Sequence, residues 1–308
     1  MTMWQRRCAR RPDAGDAESL DALDADLADV DWQTLPAGSR SFRFDAPSGS
    51  LAAVAFGNPT HPRVVLVPGA TGSKEDFILL GPLLAAAGYY VESYDLAGQY
   101  GSAAAAAPAG ESYDYDFFVA DLLAFLHAGT VPAHVLGYSF AGFVVQEALV
   151  AAPELFASVA FLGVPPQPGQ SFRGVSWIGP LSYLTTPHRI AGLLIWGVSA
   201  NLNRATPGRV ELVRERFEFT SRRSVDEIVR LMKHAPDRRR ELVDSGIPLL
   251  VAVGRHDIWP TRLQRENAEL IGAVYREYPT GHSPCETTPH RLAADLVALY
   301  ARAESRSA

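Results

Sequence analysis

Short runs of apolar, largely β-branched residues alternate along this chain with longer segments whose apolar positions recur at helical spacing. "RVVLVP" at residues 63–68 has no polar face, as expected of a strand covered on both sides of a sheet. "YYVESYDL" (89–96), "AHVLGYS" (133–139), "ASVAFLG" (157–163), "IPLLVAVG" (247–254) and "AVYREYP" (273–279) read as further strands. "SFRF" and "SLAAVAFG" form a leading pair joined by the turn "DAPSG". Helices fit between them: 73–87, where Ser73 and Asp76 make a capping pair, then 115–129, 140–152, and one after Thr261. A last helix starts at Pro289, with Thr288 as its N-cap and proline at the first helical position. Strands and helices in alternation imply an α/β fold with a doubly wound, mostly parallel sheet.

The rhythm breaks between residues 164 and 245. No central strand appears there, only the proline-rich "VPPQPGQ" and three helix-compatible stretches, 189–202, one from Val210, and one after Ser224 with its "SVDE" spacing. The organisation expected is an extension at 1–39, a core of 40–163 and 246–308, and a helical insertion at 164–245. Such an insertion would lie over the carboxyl edge of the sheet, where open α/β sheets bind ligands. Within the extension, Leu20, Leu23, Leu27 and Val30 share a helical face, so a short amphipathic helix is expected over 17–31.

Composition narrows the functional classes. An apolar fraction of 47% with 20% charged residues is ordinary for a globular chain with a sizeable core. A net charge of -6 without a concentrated basic surface argues against a nucleic-acid partner. Cys8 and Cys285 alone make neither a disulfide framework nor a metal cluster, which points to a reducing, cytoplasmic setting. The basic "MTMWQRRCARR" is followed by an acidic stretch rather than an apolar one, so no secretory leader is expected. The longest apolar run, "IAGLLIWGVSANL", is 13 residues, short of the roughly 20 that span a bilayer. No membrane contact, metal or cofactor is expected.

The chemistry gathers at "GYSFAG". Gly137, Ala141 and Gly142 keep both sides of Ser139 small, as a sharp strand–serine–helix turn requires. A serine hydroxyl is a poor nucleophile until a base takes its proton, so a histidine oriented by a carboxylate should exist elsewhere. Of eight histidines, His282 in "YPTGHSP" follows the last strand and Asp257 in "VAVGRHDIWP" follows the one before it. Loops after parallel strands open on one edge of the sheet, so Ser139, Asp257 and His282 can converge; His256 and His290 are the competing histidines. An oxyanion needs donors, expected from the backbone N–H of Phe140 and that of Ala70 in "PGATGS", with Thr71 second. "GATGSK" is not a phosphate loop, because Ser73 precedes Lys74 instead of following it.

Together these motifs resemble the α/β-hydrolase-fold superfamily. "GYSFAG" is similar to its nucleophile elbow, "PGATG" to its oxyanion loop, "GRHD" to its acid loop and "GHSP" to its histidine loop. "DLAGQYGS" from Asp95 resembles the structural turn after the fourth strand. The resemblance spans about residues 40–304, departs at Pro68, at Ala141 and at one extra residue in the Asp95 turn, and implies that 164–245 is a helical cap. It implies a cofactor-independent serine hydrolase of carboxylic esters with catalytic Ser139, Asp257 and His282. Trp177, Leu181, Tyr183, Leu184, Leu193, Leu194, Ile195 and Trp196 give the insertion an apolar character, so a small apolar acyl or aromatic substrate is expected. Carbon–carbon bond hydrolysis or acyl transfer by the same triad, and a slow-turnover ligand sensor on the same fold, are the alternatives.

Overall fold

The computed structural model describes residues 14–108, 111–175 and 206–307. Eight strands form one sheet: β1 (Arg40–Ala46), β2 (Gly49–Phe56), β3 (Arg63–Val67), β4 (Tyr90–Tyr94), β5 (Ala133–Tyr138), β6 (Phe156–Leu162), β7 (Leu249–Gly254) and β8 (Val274–Tyr278). Their order is β1-β2-β4-β3-β5-β6-β7-β8. β1 and β2 are a hairpin, β2 lies antiparallel to β4, and every later pairing is parallel. The doubly wound sheet expected from the sequence is therefore present. Around it lie α1 (Ala14–Ala25), α2 (Leu80–Ala86), α3 (Tyr115–His127), α4 (Ala141–Ala151), α5 (Pro207–Phe219), α6 (Arg222–Met232), α7 (Arg239–Asp244), α8 (Thr261–Leu270), α9 (Pro284–Thr287) and α10 (Pro289–Ser307).

The central strands read as unbroken apolar runs because both of their faces are covered. Alternate side chains point to opposite faces, so Val65 and Val67 of β3 join one core while Val64 and Leu66 join the other. The first core packs α3 and α4 against the sheet through Phe118, Leu122, Phe125, Val144 and Val145. The second packs α2 and α10 through Leu80, Leu84, Leu292, Leu296 and Tyr300. Each large aliphatic side chain buried this way contributes about 1.5–3 kcal/mol. Between β6 and β7 the described chain forms α5, α6 and α7, and its only β pairing there is the isolated bridge Gly169–Ala235. No helix among the described residues is long and apolar enough to cross a membrane.

Several local expectations need correction. The helix expected over 17–31 is α1, which ends at Ala25, and Leu23 is exposed. The acidic residues beyond it are engaged otherwise: Asp29 accepts from the Gly208 N–H at the start of α5, and Asp31 closes a turn with Gln33 and Thr34. The helix expected from 73 to 87 is a 3₁₀ turn at Lys74–Phe77 followed by α2, whose first turn contains Pro82; proline is tolerated there but not deeper in a helix. Ser221, not Ser224, is the N-cap of α6, accepting from the Ser224 N–H. Thr288 is the N-cap of α10 by position, its carbonyl accepting from the Leu292 N–H. Its hydroxyl turns back to the Pro284 carbonyl, however, and the first side-chain acceptor for the helix N–H groups is Asp24 from α1. The expected helix at 189–202 and the apolar residues between Trp177 and Trp196 lie outside the described residues.

Candidate active site

β5 runs directly into α4 through Ser139, which takes a φ of +52°. A side chain in that left-handed region costs about 1–2 kcal/mol, so the neighbours must hold the turn. The Ser139 N–H donates to the Leu162 carbonyl at 2.8 Å, and its own carbonyl accepts from Gly142. The close approach explains the small residues. A Cβ on Gly137 would come 2.8 Å from the Gly142 Cα, and one on Gly142 would come 2.1 Å from a Val164 methyl.

The loops after β7 and β8 bring the other expected residues to the same edge. His282 Nε2 lies 3.2 Å from Ser139 Oγ, and His282 Nδ1 lies 2.9 Å from Asp257 Oδ1. The Asp257 side chain is fully excluded from solvent, and the same Oδ1 accepts the Ile258 N–H at 2.6 Å. Tyr138 and Trp259 flank the imidazole, with ring centroids 5.3 and 5.6 Å away. Burial is the strongest single influence on His282 and pulls its pKa down. The Asp257 charge, its hydrogen bond and the Glu286 charge together outweigh burial, so the net displacement is upward. The competing histidines lie elsewhere: His256 is exposed, and His290 is bonded to Asp24.

The loop after β3 closes over Ser139 from the other side. A Cβ on Gly69 would come 2.9 Å from Ser139 Cβ. The Thr71 N–H donates to Gln99 Oε1 at 3.1 Å, so of the two loop donors expected, Thr71 is committed and Ala70 is not bound this way. The Phe140 side chain packs into the core against Tyr115 and Phe118, which leaves only its backbone beside Ser139. Asp95 ties this loop to the one after β4, accepting from the Lys74 N–H at 2.7 Å, from Lys74 Nζ and from the Gly101 N–H.

Gln99 is a residue that the sequence reading passed over. It is fully buried, and its amide nitrogen donates to Ser224 on α6 at 2.6 Å. One side chain thus joins the Gly69–Gly72 loop to the helical insertion. Replacement of Gln99 by leucine keeps the volume but leaves a half-buried Thr71 N–H without its acceptor, and is expected to lower unfolding free energy by about 1 kcal/mol. Urea denaturation checks this; a loss below about 0.5 kcal/mol would mean that Thr71 finds another acceptor.

Ser139, His282 and Ala70 open into a cavity of about 290 Å³ between the sheet edge and helices α5 and α6. Val210, Val213, Val225, Val229, Ile258 and Trp259 make much of its wall apolar. The described wall also departs from the apolar expectation, because Asp76, Arg209, Arg216 and Glu286 line it too. The arginines that stand in runs at 222–223 and 238–240 are engaged elsewhere: Arg222 pairs with Asp226, Arg223 donates to the Ala107 and Glu111 carbonyls, and Arg238 pairs with Glu147. Among the described residues no group of three or more His, Cys, Asp or Glu could hold a metal ion.

Among curated proteins none matches the chain. Solved structures do. A hydrolase from Pseudomonas aeruginosa PA01 is 23% identical with a TM-score of 0.67, covering 86% of this chain and 99% of that one. Carboxylesterases of the thaumarchaeon Nitrososphaera gargenis align with a TM-score of 0.68 at 18% identity, over 86% and 100% of the two chains. The enol-lactonase from Burkholderia xenovorans LB400 does so at 0.66 and 18%, over 84% and 99%. At such identities the likeness is one of fold. The sequence model of the alpha/beta hydrolase family, however, matches residues 64–295, from β3 into α10. That match takes in the strands and loops that assemble the Ser139 site, and on its extent the chain belongs to the α/β-hydrolase family.

Proposed function

We propose that the chain is a cofactor-independent serine hydrolase of carboxylic esters. The observation that carries this reading is the hydrogen-bonded series Asp257–His282–Ser139 opening into a cavity. In this reading His282 takes the Ser139 hydroxyl proton as Oγ attacks the ester carbonyl carbon. The resulting oxyanion is met by the backbone N–H groups of Ala70 and Phe140. Thr71 is the weaker candidate because Gln99 already holds its N–H. Collapse of the intermediate breaks the bond to the alcohol oxygen, which receives the proton from His282. Water then gives a proton to the same imidazole as its oxygen attacks the acyl carbon. The second intermediate collapses with Oγ leaving and taking that proton from His282, which releases the acid and restores Ser139. Asp257 fixes the imidazole tautomer and stabilises its charged form. The helices over the cavity act as a cap on this reading. Relatives named as carboxylesterases and as an enol-lactonase support it, a lactone being a cyclic ester.

Labelling with a fluorophosphonate followed by intact-mass measurement tests the reading directly. One adduct on the wild type that is absent from Ser139→Ala is expected; no adduct on folded protein would overturn it. The pH profile gives a second check. The base must be neutral to accept a proton, so activity is lost as pH falls through the His282 pKa. Because that pKa is displaced upward, the acid limb of log kcat/KM should lie above the ordinary histidine value of about 6.5. A limb clearly below it would remove His282 from the role.

A further inference from the structure

The cavity beside Ser139 has an ionic wall for which simple ester hydrolysis has no use. Arg209 and Arg216 stand seven residues apart on α5, two turns of helix, and so share a face. They are 7% and 4% exposed. Both donate to one oxygen, Asp76 Oδ1, at 2.7 and 2.5 Å, and Arg209 Nη2 also donates to Glu286 Oε1 at 2.6 Å. Arg216 reaches the Ser73 hydroxyl as well. Even so, Arg209 Nη1 and Arg216 Nε are buried without a hydrogen-bond partner among the described residues. Buried polar groups are normally satisfied, and a guanidinium presents its donors as a fork matched to a carboxylate.

Charge points the same way. Two permanent cations face Asp76, whose carboxyl burial would push up but which the two guanidiniums hold below its ordinary value. Glu286 moves in the other direction, because burial outweighs the pull of Arg209. The wall therefore holds two fixed positive charges against one firmly ionised carboxylate and one that gives up its charge more readily. It is also close to the reacting atoms. Glu286 is near enough to act on His282, and Asp76 packs on the Gly69–Gly72 turn that covers Ser139.

We propose that Arg209 and Arg216 select a substrate that carries a free carboxylate besides its scissile ester, with the valine-lined wall holding the short apolar chain between the two groups. This deepens the serine-hydrolase reading and rests on it. The two guanidiniums line the cavity and bind the substrate carboxylate at that wall, while the ester reaches Ser139. The substrate class is a hemiester of a small dicarboxylic acid, or an acyloxy acid.

The test compares matched pairs in which a terminal methyl is exchanged for a carboxylate: monoethyl adipate against ethyl hexanoate, and 5-acetoxypentanoate against pentyl acetate. In the better pair the wild type should prefer the acid by at least about tenfold in kcat/KM, since sites built to bind a polar group reject the analogue lacking it. Arg216→Gln and Arg209→Lys should each reduce that acid-to-neutral ratio by about tenfold or more. Equal or faster turnover of the neutral ester in both pairs overturns the proposal, as does a parallel fall of both rates in the variants, the signature of a strut.

Calorimetric binding of monoethyl adipate and of 5-acetoxypentanoate to Ser139→Ala separates this proposal from the hydrolase reading. If no ester is turned over and no fluorophosphonate adduct forms, the hydrolase reading fails. Binding of either acid that is lost in Ser139→Ala/Arg216→Gln would then still support the carboxylate site, and no binding of either would overturn it. The wild-type preference and the Ser139→Ala titration decide the matter even where an arginine variant does not fold.

Discussion

Replacing Ser139 by alanine is expected to lower kcat/KM for ester hydrolysis by roughly 10⁴–10⁶-fold. The change removes one oxygen, Ser139 Oγ, whose contact is His282 Nε2 at 3.2 Å. On the proposed serine-hydrolase reading no acyl-enzyme then forms, and the residual rate comes from water attacking an ester that the proposed oxyanion donors and the cavity still hold. The fold should be indifferent. The turn is held by the Ser139 N–H and carbonyl, which alanine keeps. Melting temperature should therefore stay within a few degrees, the shift that about 1 kcal/mol produces. Activity above about a tenth of wild type in this variant would mean that the chemistry runs elsewhere, since a nucleophile contributes orders of magnitude more.

How much of this was legible in the sequence follows from what each residue touches. The strands were legible because β3, β5, β6 and β7 are buried on both faces, so apolar runs there have one meaning. The convergence of Ser139, Asp257 and His282 was legible because parallel strands deliver the loops that follow them to one edge, whatever else the chain does. Helix starts were less so. Asp24 caps α10 from 266 residues away, and no local pattern distinguishes that from a cap by Thr288. Asp76 looked like half of a capping pair; it does accept from the Ser73 N–H, but its other oxygen belongs to two arginines of α5.

The ionic wall of the cavity was missed for a related reason. Arginines in runs, such as 238–240, draw the eye, yet they lie on solvated or half-buried helix surfaces. Arg209 and Arg216 are single, and the signal was their phase: two turns apart and on the same side as the buried Leu212 and Val213. An arginine in phase with the apolar face of a helix is either paired or bound to something. Gln99 left no such trace, because a lone glutamine in a loop has no period to break. Its bonds reach Thr71, 28 residues before it, and Ser224, 125 residues after it.

Asp257→Asn is expected to lower kcat/KM by roughly 10²–10⁴-fold and to move the acid limb of the pH profile downward. The direction comes from the hydrogen bonds around Asp257. Its Oδ1 accepts from both His282 Nδ1 and the Ile258 N–H, while Oδ2 has no partner among the described residues. An asparagine oxygen satisfies both donors only in the Oδ1 position, which leaves the amide nitrogen where Oδ2 was. The imidazole thus keeps its tautomer and orientation and loses chiefly the charge beside it. That charge is the largest upward influence on His282, opposing burial. Without it less opposes burial, the imidazolium that forms in the transition state is less stable, and the free base persists to lower pH. The expected profile is a lower plateau reached at lower pH. Asp257→Ala should lose orientation as well and fall further. A plateau reduced with the limb unmoved would assign Asp257 to positioning alone, and an unchanged plateau would remove it from the reaction.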